Sequence, residues 1–276
     1  MNEKLLITVA PSIPPYLRGS LSGLDLSPEG VAAEVVRARN AGANVVHLHV
    51  WDEHGQPTMD LSAFRRTLGL IREGCDIIIE GSTGGINALS AAERSVSLQT
   101  EIELASLNPG SVNYDQGVYV NSPEDIRYWA GEMHRRRIKP DMVIFEIGMI
   151  ANSLALAEQG LIEPPYLFGL VLGQQGAMPA TPKNLMFLSD SLPPGAHWGV
   201  IGHGGSDLWI STMAMTMGGH ARAGYEDNPY YRPGEPARSN AQLIERLVRI
   251  ARELGREPAT PAEARGLLGL PGVDLR

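Results

Sequence analysis

Cysteine is almost missing from this 276-residue chain: Cys75 stands alone, which excludes an internal disulfide framework and argues against a metal site built on thiolates. Basic tracts are scarce too. The longest is "HRRR", His134 to Arg137, and acidic residues outnumber basic ones by 31 to 23 for a formal net charge of −8, so nucleic acid is not an expected partner. No apolar run reaches the roughly 18 residues of a membrane span. The opening "MNEKLLITVAPS" lacks the charged-then-apolar plan of a signal peptide, and the expected location is cytoplasmic. What is present is a globular composition, 43% hydrophobic and 20% charged, at a length that suits two small domains or one α/β barrel.

Periodicity along the chain gives short apolar runs alternating with helical patterns. Strand signals fall on Leu5 to Pro11, "NVVHLHV", Asp76 to Thr83, Ile102 to Gly110, Asp141 to Met149, Tyr166 to Gly173, His197 to Gly205 and Gly218 to Asp227. The first helix opens with Ser27 as N-cap and Pro28 at its first position, and Gly42 lies just past its end. The last helix, "TPAEARGLLGL", starts with Thr260, Pro261 and Glu263 in a capping-box arrangement. Eight strand signals, each with a helical segment after it, predict an α/β fold of the (β/α)₈ TIM-barrel kind with an additional C-terminal helix, as one domain over residues 1–276. An open doubly wound sheet would bring a Gly-rich fingerprint after the first strand, and "APSIPPYLRG" has none.

Barrel chemistry gathers at the C-terminal ends of the strands. There the chain places His47 and His49 on strand two, Ser82 and Thr83 on three, Ser106 and Asn108 on four, Glu146 on five, His203 on seven, and Glu226 with Asp227 after eight. Residues i and i+2 share a strand face, so both imidazoles project together and can bind one divalent cation, zinc above all. The plain alternative is a pair of hydrogen-bonded core histidines. A third donor is needed; Glu226 is the first choice, four residues after Arg222, and Glu146 and His203 compete on position alone. A solvated turn would equally explain Glu226 and Asp227 beside Asn228 and Pro229. Cys75 reads as a helix end, His54 as a turn residue, "HGGSD" as a glycine turn capped by Ser206, and "TMAMTMGG" as core packing.

The motifs "ITVAPS", "VVHLHVWDEHGQPTMD", "EGSTGG", "ASLNPGSVNY", "FEIGM", "GGHARAGYEDN" and "PATPAEARGLLGL" run in this order through nearly the whole chain. It resembles the β-keto acid cleavage enzymes, whose best-described members act on 3-keto-5-aminohexanoate. The resemblance implies a zinc-dependent barrel that takes a β-keto acid and acetyl-CoA and returns acetoacetate and a new acyl-CoA. It implies His47, His49 and Glu226 as metal ligands and Arg222 and Asp227 as the pair that handles the proton. On this reading Asp227 removes a proton from the acetyl group. Ser82, Thr83, Gly84, Ser106 and Asn108 fall where the family grips the keto acid. Ser106 replaces a frequent threonine and keeps its hydroxyl, Glu146 matches an acidic position near the site, and a homotetramer is implied. One departure stands out. Members that act on the amino substrate carry a glutamate after the first strand, where this chain has Ile13, Pro14 and Pro15, so a β-keto acid with another tail is expected. The alternatives are a metal-dependent hydrolase of the amidohydrolase kind, which also carries a His-x-His pair, and a non-catalytic binding barrel.

Overall fold

The computed structural model describes residues 4–13, 25–52, 56–84 and 89–271. Eight strands carry the architecture: β1 (Ile7–Val9), β2 (Val45–Leu48), β3 (Ile78–Gly81), β4 (Leu104–Leu107), β5 (Lys139–Ile144), β6 (Leu167–Leu172), β7 (His197–Gly202) and β8 (His220–Ala223). Each lies parallel to the next, and β8 pairs back onto β1 with Ile7 opposite Ala221, so the sheet closes into the expected TIM barrel.

The helices are α1 (Pro28–Ala41), α2 (Leu61–Gly74), α3 (Ala91–Arg94), α4 (Pro123–Arg136), α5 (Gly148–Glu158), α6 (Pro182–Asp190), α7 (Asp207–Thr216), α8 (Asn240–Glu253) and α9 (Pro261–Leu268). The signals for α1 act as the sequence suggests: Ser27 accepts from the Gly30 amide, and Gly42 ends the helix in the left-handed region at φ 119°. α8 buries Leu243, Ile244, Leu247, Val248 and Ala251 on one face, a 3.6-residue stripe that seats it on the barrel. No helix among the described residues is long and apolar enough to cross a membrane.

The helical segment expected after the sixth strand is α6, nine residues capped by Thr181 and opened by Pro182. Two details differ from the sequence reading. The helical pattern after β3 is one α-turn followed by the 3₁₀ stretch Val96–Gln99, because the Ser97 hydroxyl donates to the Ser82 carbonyl and draws the chain back to the strand end. Two antiparallel hairpins project from the loops, Val112–Tyr114 with Gly117–Tyr119 and Tyr230–Arg232 with Glu235–Pro236.

The additional helix α9 is not peripheral. Its Ala264 and Leu268 pack onto Leu6, Val45, Ile78, Leu104 and Leu167, closing the N-terminal end of the barrel with an apolar floor. Outside that floor Arg265 holds Glu103 and Asp76 together.

Candidate active site

At the other end the same alternation brings polar groups inward. β2 and β3 pair with His47 opposite Glu80, so both side chains enter the barrel side by side, and His47 Nδ1 lies 2.8 Å from Glu80 Oε1. That carboxylate fixes the Nδ1–H tautomer and leaves Nε2 facing the mouth. Burial works against a charge on His47, but Glu80 and Glu226 together override it and raise the imidazole's pKa. His49, two residues on, has no such carboxylate partner among the described residues; burial lowers its pKa to about 4, so it is neutral near pH 7. The two rings meet edge to face with centroids 5.1 Å apart.

Glu226 arrives from the turn after β8. Gly224 makes that turn possible, since a Cβ there would lie 2.0 Å from the Ala10 carbonyl oxygen. The chain then folds back, with the Asp227 and Asn228 amides donating to the Gly224 carbonyl and the Glu226 amide to Ala10. Tyr225 is buried on the outer side, its hydroxyl donating to the Ala237 carbonyl, so Glu226 is directed inward. Its Oε1 accepts from Arg222 Nη2 at 2.6 Å, whereas Oε2 is buried with no hydrogen-bond partner.

Arg222 forks onto Asp227 through Nε and Nη2, both 2.9 Å from a carboxylate oxygen. Burial opposes the Glu226 charge, but Arg222 and the two imidazoles override it and hold that carboxyl below its ordinary pKa.

His47 Nε2 lies 3.6 Å from Glu226 Oε1, and His49 Nε2 lies 3.9 Å from Oε2. These separations are too long for hydrogen bonds. They suit donor atoms arranged around a shared cation, and the donor atoms of His47, His49 and Glu226 all lie within 4.8 Å of one another. The orphaned Oε2 is what a carboxylate shows when its intended partner is a metal. Two imidazoles and a carboxylate therefore fit a divalent transition metal and could hold one.

These groups open on a cavity of about 390 Å³. One wall is polar: Ser82, Gly84, Ser106 and Asn108 line it. The Ser82 hydroxyl accepts from the Gly84 amide at 3.0 Å, and the Ser106 hydroxyl accepts from the Thr83 amide at 3.2 Å. Thr83 itself is buried behind the wall, donating to the Ser106 carbonyl. The rest of the lining is largely apolar, from Val143, Phe145, Val171, Ile201 and the hairpin residues Tyr114, Val118 and Tyr119, the Tyr119 hydroxyl accepting from Asn108 Nδ2.

A model of the beta-keto acid cleavage enzyme family matches residues 4–270. The chain belongs to that family. It is 39% identical over 272 residues to the 3-keto-5-aminohexanoate cleavage enzyme of Fusobacterium nucleatum, covering 98% of this chain and 99% of that one. It is 36% identical over 242 residues to the 3-oxoadipate:acetyl-CoA acetyltransferase of Cupriavidus necator, covering 86% and 85% of the two chains. Among solved structures the apo form of ObcA superposes with a TM-score of 0.76 at 19% identity, over 89% of this chain and 65% of that one, a likeness of fold.

Not every residue expected of a β-keto acid cleavage enzyme enters the cavity. Glu146 is half-buried and follows Phe145, whose ring supplies the wall; Glu146 is absent from the lining, and burial raises its carboxyl pKa. His203 lines the cavity but is not part of the three-residue cluster. Ile13 is buried in the core; Pro14, Pro15 and His54 lie outside the described residues. The sequence reading missed Glu80, although an acid in the run "DIIIEGST" two residues before Ser82 had to face inward. It also missed the hairpin wall and Arg94, which is buried and donates to the Tyr119 hydroxyl.

Proposed function

We propose that this chain is a metal-dependent β-keto acid cleavage enzyme that exchanges acyl groups between acetyl-CoA and a β-keto acid with an uncharged, apolar tail. The observation that carries the reading is one cavity with three parts. It holds a three-donor cluster with an unsatisfied carboxylate oxygen, the Arg222 guanidinium that grips Asp227, and a lining that is part hydroxyl and amide, part apolar. The names of the relatives support the reaction class, since one is a 3-oxoadipate:acetyl-CoA acetyltransferase.

His47, His49 and Glu226 would hold the cation, zinc being our assignment for two nitrogen donors and one carboxylate. When bound it supplies Lewis-acid polarisation of the substrate's keto oxygen. Ser82, Ser106 and Asn108 orient the carboxylate of the keto acid, with Thr83 holding Ser106 in place. Asp227, fixed by the two-pronged contact with Arg222, acts as base.

Atom balance decides which proton it takes. Addition of an acetyl-CoA enolate to the ketone gives a tertiary alkoxide whose cleavage returns acetate and a β-keto thioester, not acetoacetate. We therefore revise the expected proton source: Asp227 takes it from C2 of the keto acid. That carbon attacks the thioester carbonyl and expels the CoA thiolate. The thiolate then adds to the original keto carbon. Cleavage of the bond from that carbon to C2 leaves the new acyl-CoA and the acetoacetate carbanion, which takes the proton back from Asp227.

The tail assignment rests on the lining. Among the described residues no carboxylate other than Glu226 lines the cavity, so an ammonium tail finds no free partner, and the lining offers aliphatic and aromatic surface. The test is to incubate metal-loaded protein with acetyl-CoA and keto acids carrying apolar, cationic or anionic tails, and to detect acetoacetate and new thioesters by mass spectrometry. A new thioester from the apolar tails is expected. Faster turnover of the cationic tail would overturn the substrate assignment, and no thioester from any tail would overturn the reaction.

A further inference from the structure

Between the apolar floor and the cavity at the mouth, the barrel interior is not filled by side chains. The inward positions of β6 rise from Leu167 in the floor through Gly169 to Val171 at the cavity, and β7 sets Gly199 opposite Gly169. Two neighbouring inward positions therefore carry no side chain, and a chamber of about 30 Å³ remains at their level. That is room for roughly one or two waters.

The chamber is lined by hydrogen-bonding groups that include Thr8, Glu80, Asp141 and Arg222. His220 lines it as well, with Nδ1 accepting from the Leu6 amide. Glu80 gives one oxygen to His47, and Arg222 is held by Glu226 and Asp227. Asp141 is different. It enters from β5, two residues before the cavity residue Val143, and its Oδ1 is buried with no hydrogen-bond partner among the described residues. A Cβ at Gly169 would stand 3.3 Å from that oxygen, so the orphan faces the space the glycine leaves. Burial first, then the Glu80 charge, raises the Asp141 carboxyl to about 8 against the pull of Arg222 and His47. Near pH 7 it is a neutral acid, able to donate as well as accept. Nothing in the acyl exchange derived above uses it.

We propose that the chamber is a water site and that Asp141 is a positioning residue for the metal cluster, hydrogen-bonded through that water to Glu80 so that Glu80 stays against His47. The inference rests on the reading of His47, His49 and Glu226 as metal ligands and deepens it. An imidazole that binds a metal is oriented by what its other nitrogen meets, and here that partner is Glu80. Water in a chamber this small is within reach of both carboxyls, and Arg222 on the same wall can donate to it. Without it, Asp141 would leave a buried polar oxygen unsatisfied, which is destabilising.

Affinity for Zn²⁺ at pH 7, measured by competition with a chromogenic chelator, reads the positioning. Asp141→Leu fills the chamber with aliphatic carbon and should weaken binding by about tenfold, the effect of losing an outer partner of a metal ligand. Asp141→Asn keeps a neutral hydrogen-bonding group and should bind within about twofold of wild type. Gly169→Ala leaves both carboxyls in the chain and puts a methyl group in the space of the water; it should weaken binding in the same direction as Asp141→Leu. Unchanged affinity in Asp141→Leu, or in Gly169→Ala should the leucine variant not fold, overturns the proposal. So does equal weakening in Asp141→Leu and Asp141→Asn, which would make a charge on Asp141 the active feature. If wild type binds no divalent metal, the reading of the cluster fails, and the chamber is read in metal-free protein instead. The infrared difference between wild type and Asp141→Asn at pH 7 should then contain the C=O stretch of a protonated carboxyl, and its absence overturns the neutral acid on which the water bridge depends.

Discussion

The two ends of this barrel are made by the same eight strands, yet they are filled by opposite means. At the N-terminal end the inward positions of β2, β3, β4 and β6 are Val45, Ile78, Leu104 and Leu167, and α9 seals them with Ala264 and Leu268. Two residues further along the same strands the inward positions include His47, Glu80 and Ser106, around an open cavity. A parallel barrel keeps function and stability apart by this step of two, because the strand period assigns every second residue to the interior and the distance from the floor decides how wet it is. Damage at the floor should therefore appear in stability, and damage at the mouth in binding and turnover.

The largest expected effect breaks the mouth. Glu226→Gln keeps the shape of the side chain and the contact to Arg222 but removes a charged donor from the cluster. Metal content by elemental analysis should fall well below one ion per chain, and kcat/KM should drop by about three orders of magnitude, the size of a lost Lewis acid. The variant should melt below metal-free wild type near pH 7, since Arg222 and the imidazoles stabilise the charge that the substitution removes. A variant that kept both metal and activity would remove Glu226 from the cluster. The next effect breaks the floor. Leu268 is fully buried, and Leu268→Ala should cost about 2–5 kcal/mol of unfolding free energy in urea. Turnover per folded molecule should stay within about twofold below the transition. Loss of turnover at full folding would show that α9 positions the mouth, and the comparison between ends would fail.

The contrast also explains which parts of the molecule could be read from sequence. The mouth was legible in part from spacing, since His47 and His49 share a strand face; spacing left Glu226 in competition with Glu146 and His203, and Arg222 and Asp227 were singled out by the resemblance. The eight strands were legible because fully buried strands are continuous apolar runs. Glu80 was not singled out, although its meaning comes from a register contact to His47 made by a different strand. The floor role of α9 was invisible for the same reason, since its partners sit on strands far away in the chain. The apolar wall of the cavity depends on a hairpin, Val112–Tyr114 with Gly117–Tyr119, whose strands are too short to announce themselves.

The smallest expected effect sharpens the comparison at the sealed end, where a titratable imidazole is buried among apolar neighbours. His220 begins β8, is 5% exposed, accepts the Leu6 amide at Nδ1 and stacks on His197 with ring centroids 5.7 Å apart. Burial, helped by His197 and Arg256, lowers its pKa to about 3 from an ordinary 6.5. Below pH 6.5 the unfolded chain therefore binds a proton that the folded chain refuses, so stability falls with pH until about 3 and is unaffected by this group above 7. Between pH 7.5 and 5 that single group should remove about 2 kcal/mol. His220→Gln keeps an acceptor for the Leu6 amide and cannot titrate, so urea melts at the two pH values should show the variant losing about 2 kcal/mol less than wild type. Equal losses would mean that His220 takes up its proton in the folded barrel, and that the closed end is wetter than its apolar floor implies.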